Sequence, residues 1–284
     1  MPIRRQRPRL FWTIIGLFLL VATIAHATST ELRFLRDGAL VKQLDLETLK
    51  KSCKLAAVVI DDPYYKKRKS YLAFPLKDVL TSGFGTPARE LGGEDLFFEA
   101  LDGYVKPAKG ARVLEDGGYL AFADADRSHG SEPGWEPIDR RGLDPGPYYV
   151  VWAHDGQSDA KGYPWPYQLA AIEIVHFDKK YPYTLPTTAP RDSAAWKGFD
   201  LFRAQCISCH AINGQGGKIG PDLNVPKSIV EYRPLDQVKA YIRDPETFRY
   251  SAMPAHRDLS DENLDQLIAY FSTMKTLKHD PGKP

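Results

Sequence analysis

The 284-residue sequence predicts a multidomain chain, an N-terminal α+β domain that is mostly β, followed by an all-α domain. Three observations predict it. Residues 28–185 carry short strand-like runs broken by Tyr, Gly and Pro. After residue 193 the apolar side chains recur at helical spacing instead. Between the two textures, Pro182–Pro190 holds three prolines and three threonines, a linker composition, and the linker is set at 186–192. The length also suits two cores better than one. With 43% hydrophobic and 26% charged residues, collagen-like, coiled-coil and fully disordered classes are excluded. A formal charge of +2 gives no sign of a nucleic-acid binder.

In chain order, Arg4, Arg5, Arg7 and Arg9 precede the 16-residue apolar run Leu10–Ala25, and Ala25-His26-Ala27 offers a small-x-small cleavage pattern. Residues 1–27 therefore read as a secretory signal peptide, which sends the remainder to an exported, periplasmic compartment. An uncleaved anchor is the rival and the one route to membrane contact, but the run is shorter than the ~20 residues a spanning helix wants. Cleavage would take the formal charge from +2 to −2, because the only charges in that stretch are the four arginines.

Leu32–Leu35 and Ala39–Val41 flank Arg36-Asp37-Gly38, a hairpin signal. Leu46–Leu55 reads as a helix opened by Asp45, and Ala56–Ile60 as a buried strand. Phe97–Leu101, Tyr119–Ala123, Tyr148–Trp152 and Ala170–Val175 continue the strands. In the second half, Trp196, Phe199, Phe202 and Cys206 form an apolar helical stripe, with Asp192 or Ser193 as its cap. Leu235, Val238 and Ile242 form another stripe, stopped by Pro245. Leu264, Leu267, Ile268, Phe271 and Met274 line a closing helix capped by Ser260. Asn263 stands where a capping box wants Glu or Gln, so no full box is expected.

The chemistry lies at Cys206-Ile207-Ser208-Cys209-His210. C-x-x-C-H is the signature of covalent c-type haem attachment. Cysteines three apart share one side of a helical turn, where both sulfurs reach the vinyl groups along one porphyrin edge. The next residue then turns its imidazole to the iron. From the chain's own composition such a motif arises by chance with odds on the order of one in a thousand. A thioredoxin-like pair would need a βαβ setting, and a zinc site a second ligand pair, and the flanks supply neither. Cys53 is the third cysteine, so no disulfide framework is expected.

Residues 193–278 resemble a class I cytochrome c domain. Gly198, Phe202 and the C-x-x-C-H match that family's G-x-x-x-F-x-x-x-C-x-x-C-H opening, Gly220-Pro221-Asp222-Leu223 its G-P-x-L loop, and Leu267–Tyr270 its closing helix. The resemblance implies one covalent haem c on Cys206 and Cys209, with His210 as proximal iron ligand. Pro221 would receive the N–H of His210, and Gly198 would sit at a helix crossing that admits only hydrogen. Met253, in a Met-Pro loop, is the distal candidate, and a thioether there raises the potential where His256, its competitor, would lower it. Met274 reads as packing and His279 as a solvated tail residue (279–284). Arg243, Arg249 and Tyr250 are candidates for the haem propionates or plain surface residues.

The N-terminal domain resembles the sulfite-oxidase-type molybdopterin-binding fold through Phe74–Leu80, Ala100–Tyr104, Gly117–Ala121 and Gly146–Val151. It lacks that family's metal-ligating cysteine, since Asp61–Lys69 contains none and Cys53 falls too early. The resemblance thus implies a cofactor-free domain, with Cys53 a small buried residue. Lys66–Lys69 reads as a solvated basic loop, Asp102–Tyr104 as a turn, and His129, His154 and His176 as separate structural histidines.

The functional expectation is a mono-haem electron carrier between redox protein partners, its N-terminal domain docking the partner. The alternative is a two-domain dehydrogenase in which the N-terminal half oxidises a small molecule and the haem accepts the electrons.

Overall fold

The computed structural model describes residues 31–127, 134–138, 142–160 and 162–282. The signal-peptide reading of residues 1–27, and His129, lie outside the described residues. Among the described residues no helix is long and apolar enough to cross a membrane.

Asp37 and Gly38 both take positive φ, at 52° and 82°, and so turn β1 (Leu32–Arg36) back into β2 (Ala39–Leu44). α1 (Leu46–Ser52) opens as expected on Asp45, whose carboxylate accepts the Thr48 N–H, but closes three residues early at Cys53. β3 (Ala56–Asp62) is not a buried strand. It lies at a sheet edge with alternate side chains exposed, Val59 among them. β4 (Lys67–Pro75) and α2 (Leu76–Phe84) follow. Next come β5 (Asp95–Ala100), β6 (Val105–Lys109), the single turn α3 (Gly110–Val113) and β7 (Gly118–Asp124). β8 (Tyr149–Trp152), β9 (Leu169–Ile174) and the short α4 (Phe177–Lys180) complete this half.

Only part of the basic run is a solvated loop, because Lys66 lies in an exposed turn but a strand starts at the next residue. Lys67, Arg68 and Lys69 begin β4, and the Lys69 ammonium is buried on the carboxylates of Asp124 and Glu136. Hydrogen bonds from Lys67 and Lys69 hold Glu136 far below the ordinary carboxylate range, at about 2.

Among the described residues of the N-terminal half two sheets form, of order β2-β1-β9-β5-β6 and β3-β4-β7-β8. Their facing side chains, with the apolar side of α2, make one core: Phe34, Phe98 and Ile172 from the first sheet, Tyr71, Leu120 and Val150 from the second. The other face of the five-stranded sheet is covered too. Phe97 points there and joins Val175, Phe177 and Tyr181 in a second core with the C-terminal helices. β9 is buried at every position, as a strand between two layers must be. On that same face Lys180 bonds Glu99 at 2.8 Å and also pairs with Glu173.

The C-terminal half holds α5 (Ala194–Gln205), the tiny ladder β10 (Ala211–Ile212) with β11 (Gln215–Gly216), α6 (Ile229–Tyr232), α7 (Leu235–Arg243) and α8 (Asp261–Met274). A β-rich N-terminal region thus precedes a helical C-terminal one. Ser193 caps α5 by position. At α8 the capping box is complete after all: Asn263 donates its N–H to Ser260 Oγ and accepts the Ser260 N–H on Oδ1, both within 3.2 Å. An amide oxygen serves as well as Gln's; only the reach is shorter. The segment around Pro182–Pro190 is packed, with Thr184 buried and its carbonyl bonded by Tyr270 Oη at 2.8 Å.

Glu136 yields a pH prediction. Its folded value lies below the ordinary 4.5, so it contributes stability above that value that is lost as pH falls toward about 2. The thermal midpoint should drop through that window, and Glu136→Gln should flatten the drop; an unchanged slope in circular-dichroism melts would contradict the assignment.

Candidate haem site

α5 delivers Cys206, and the helical turn continues past its end. The Cys206 N–H donates to Phe202 O at 2.9 Å, and the Cys209 and His210 N–H groups both donate to Cys206 O, at 3.1 and 2.9 Å. Both thiols therefore stand on one tight turn, unpaired with each other and half-buried. Burial pushes the Cys206 thiol up to about 12 and raises that of Cys209.

His210 Nδ1 lies 2.9 Å from the Pro221 carbonyl oxygen. A carbonyl only accepts, so Nδ1 carries the proton and Nε2 keeps a free lone pair. Burial also lowers the imidazole's pKa, against opposing effects of the Pro221 bond and Asp222, which keeps the ring neutral. Gly220 permits this approach, because a Cβ there would sit 2.5 Å from His210 Cε1.

The rest of the loop is tied from several sides. Asp222 accepts the N–H groups of Gly214, Asn224 and Val225 between 2.6 and 2.9 Å. The buried Asn224 amide donates to Asn213 Oδ1 and Met274 O, each at 2.8 Å. Gly217 N–H reaches Ile207 O at 2.8 Å inside the cysteine motif. Below, Gly198 lies at the crossing of α5 and α8, where a Cβ would meet Gln266 O at 2.0 Å. Ile229, Val230, Leu223 and Met253 are only partly covered by the helical core. Two thiols on one turn, a neutral imidazole with an open Nε2 and a half-covered apolar wall fit a covalently held haem.

The other candidates are spread more widely. Met253 is half-buried, with its N–H on Ser251 Oγ at 3.1 Å. His256 is 7% exposed and shares a 3.1 Å bond with Gln205 Oε1. Met274 is buried in the helical core. Arg243 is engaged by Asp261 at 2.7 Å, Arg249 bonds Tyr241 Oη at 3.2 Å, and Tyr250 is fully exposed. His279 is not a free tail residue: its ring stacks on Tyr183 at 3.7 Å, and its N–H donates to Asn213. His154 bonds Gln157 through its backbone, and His176 caps α4. Among the described residues no group of three or more His, Cys, Asp or Glu gathers to hold a metal.

The N-terminal sheet reaches this loop directly. Val105 N–H donates to Ser208 O at 3.1 Å, between the two cysteines, and Lys218 N–H donates to Gly103 O at 3.0 Å. Gly103 sits in the Asp102–Tyr104 turn, which is a turn as expected, with Tyr104 N–H on Asp102 Oδ1. Burial holds the Tyr104 and Tyr64 phenols above their ordinary range.

The family model for cytochrome c matches residues 195–275. Those residues are a cytochrome c domain. Cytochrome c domains hold a haem c covalently and transfer single electrons. Over 121 residues the chain is also 32% identical to cytochrome c oxidase subunit 2 of Alkalihalophilus pseudofirmus, a match covering 39% of this chain and 35% of the relative. The chain thus spans about a third of that relative's length.

Sequence reasoning missed Asn213, Asp222, Asn224 and Gly217 as the loop's ties. Asn213–Gly217 reads as an ordinary turn-rich stretch, and only its nearness to the motif signalled more. Asn224→Ala removes both amide bonds in a buried site, which should cost about 1–3 kcal/mol of stability. Denaturant unfolding checks this, and a loss within error of zero would mean that the loop does not depend on it.

Proposed function

We propose that this chain is a mono-haem electron carrier of the periplasm. In this reading Cys206 and Cys209 would hold the haem, His210 and Met253 would ligate its iron, and Pro221 orients His210. The observation that carries it is the 2.9 Å contact of His210 Nδ1 with Pro221 O, immediately after two cysteines on one turn. The haem supplies one-electron chemistry when bound. The protein's residues do the remainder: His210 presents Nε2, the Ser251–Met253 bond shapes the distal loop, and the apolar wall excludes water. With His210 and Met253 both ligating, the iron would have no position left for a substrate, which suits the site to electron transfer.

The periplasmic address rests on the signal-like residues 1–27. The N-terminal domain selects the redox partner, in encounters that bury little area. Cys53 belongs to that domain's core, where burial raises its thiol, and serves packing. A redox protein as partner agrees with the oxidase-subunit relative.

Matured wild-type protein should show six-coordinate, low-spin spectra in both oxidation states. Met253→Leu should open a coordination position, bind carbon monoxide when reduced and lower the midpoint potential, while His256→Gln keeps six-coordination. A Met253→Leu protein with unchanged spectrum and potential would exclude Met253 as ligand.

A further inference from the structure

The β5–β6 turn meets the haem loop beside Cys209. Gly103 takes a φ of 88° and comes so close to Lys218 that a Cβ there would lie 3.1 Å from the Lys218 Cβ. The Lys218 N–H donates to Gly103 O at 3.0 Å, and Gly220, two residues on, donates its N–H to Cys209 O at 2.8 Å. Backbone therefore fixes the seam between the two halves at the cysteine motif itself.

Tyrosines fill the N-terminal side of this seam. Tyr104 follows Gly103, and its phenol stands against the Ser208 side chain, between the two cysteines. Tyr64, from the β3–β4 turn, is its neighbour. The Tyr64 ring meets Tyr167 edge-on at 5.7 Å, and Tyr167 in turn packs on the buried Tyr149 at 6.3 Å, so Tyr64 is backed by the core. Tyr64 also has two sides. The residue is 38% exposed, yet its hydroxyl end is buried toward Tyr104 and Cys209. Two rings thus lead from solvent to the motif.

The solvent side has the composition of a contact surface. Leu101 and Ile219 are exposed on either side of the Gly103–Lys218 contact. Lys66 and Lys218 are exposed too, and neither makes an ion pair among the described residues. The acid of the turn, Asp102, is engaged by the Tyr104 N–H at 2.9 Å. A backed aromatic among apolar neighbours, with charge at the rim, is how protein interfaces concentrate their affinity. The two free ammonium groups select a partner face that carries carboxylates.

We propose that this seam docks a redox protein whose contact face is apolar and rimmed with carboxylates, and that Tyr64 and Tyr104 bridge the electron between that partner and the Cys209 side of the motif. This deepens the electron-carrier reading above and rests on it. One electron crosses, to or from the partner's own one-electron centre. No bond or proton moves, and both phenols stay neutral and unoxidised.

The test uses the full matured protein on gold bearing a mixed monolayer of methyl-ended and carboxylate-ended alkanethiols, a stand-in for the partner's face. Surface plasmon resonance reads adsorption, and film voltammetry reads the rate of electron exchange. Wild type should adsorb at low ionic strength, elute with salt, and prefer the mixed monolayer to an all-methyl or an amine-ended one. The double variant Lys66→Glu, Lys218→Glu should adsorb at least about tenfold more weakly at low salt. Tyr64→Ser should slow electron exchange several-fold with midpoint potential and melting midpoint unchanged, while Tyr64→Trp keeps the rate. Tyr232→Ser, which removes an exposed tyrosine of α6, should alter neither adsorption nor rate. Equal adsorption on the amine-ended monolayer overturns the partner's chemistry, and adsorption unmoved by the lysine double variant overturns the docking surface. A wild-type rate in Tyr64→Ser, or an equal loss in Tyr232→Ser, overturns the route. Failure of the haem reading shows separately, as protein that adsorbs but carries no covalent haem and is silent in voltammetry.

Discussion

The bond from His210 Nδ1 to the Pro221 carbonyl is the constraint on which the C-terminal site depends. It chooses the tautomer, and the tautomer decides whether Nε2 can face a metal at all. Nearly every unusual feature nearby serves it. Gly220 leaves room for the imidazole, and Asp222 gathers three N–H groups to shape the loop beyond Pro221. Asn224 then pins that loop to the end of α8, which crosses α5 at Gly198. The orientation of the His210 ring is therefore set by backbone held from three sides.

The two halves are not joined by a slack tether. The five-stranded sheet buries both faces, one on the N-terminal core and one on the cytochrome helices, and Phe97 is the residue that changes sides. Its β5–β6 turn bonds the loop that carries the cysteines, through Gly103 and Val105. The N-terminal domain thus forms part of the surroundings of the attachment loop.

How much of this was legible in the sequence depended on whether a local pattern carried the structural cause. The C-x-x-C-H turn, the G-P-x-L loop and the apolar stripes of α5 and α8 are short-range patterns, and they lie where the spacing puts them. The Asp37-Gly38 hairpin did likewise, since its positive φ values are a local requirement. β4 and β6 were missed because Lys67–Lys69 and Val105–Lys109 show no alternation; Lys69 and Lys106 are buried cations whose environment comes from distant strands. β3 looked buried because its composition is apolar, yet its position at the sheet edge exposes half of it. Asn213 and Asn224 were invisible for the same reason, as their partners lie up to 66 residues away.

The central claim is that Cys206, Cys209 and His210 together hold a single haem covalently. The most direct measurement is the haem content of the matured protein after acid–acetone extraction, by intact mass and pyridine haemochrome. The account predicts one haem per chain that resists extraction and is lost from a Cys206→Ser, Cys209→Ser double variant. Haem that extracts freely from the wild-type protein, or a double variant that keeps it covalently, would contradict the account.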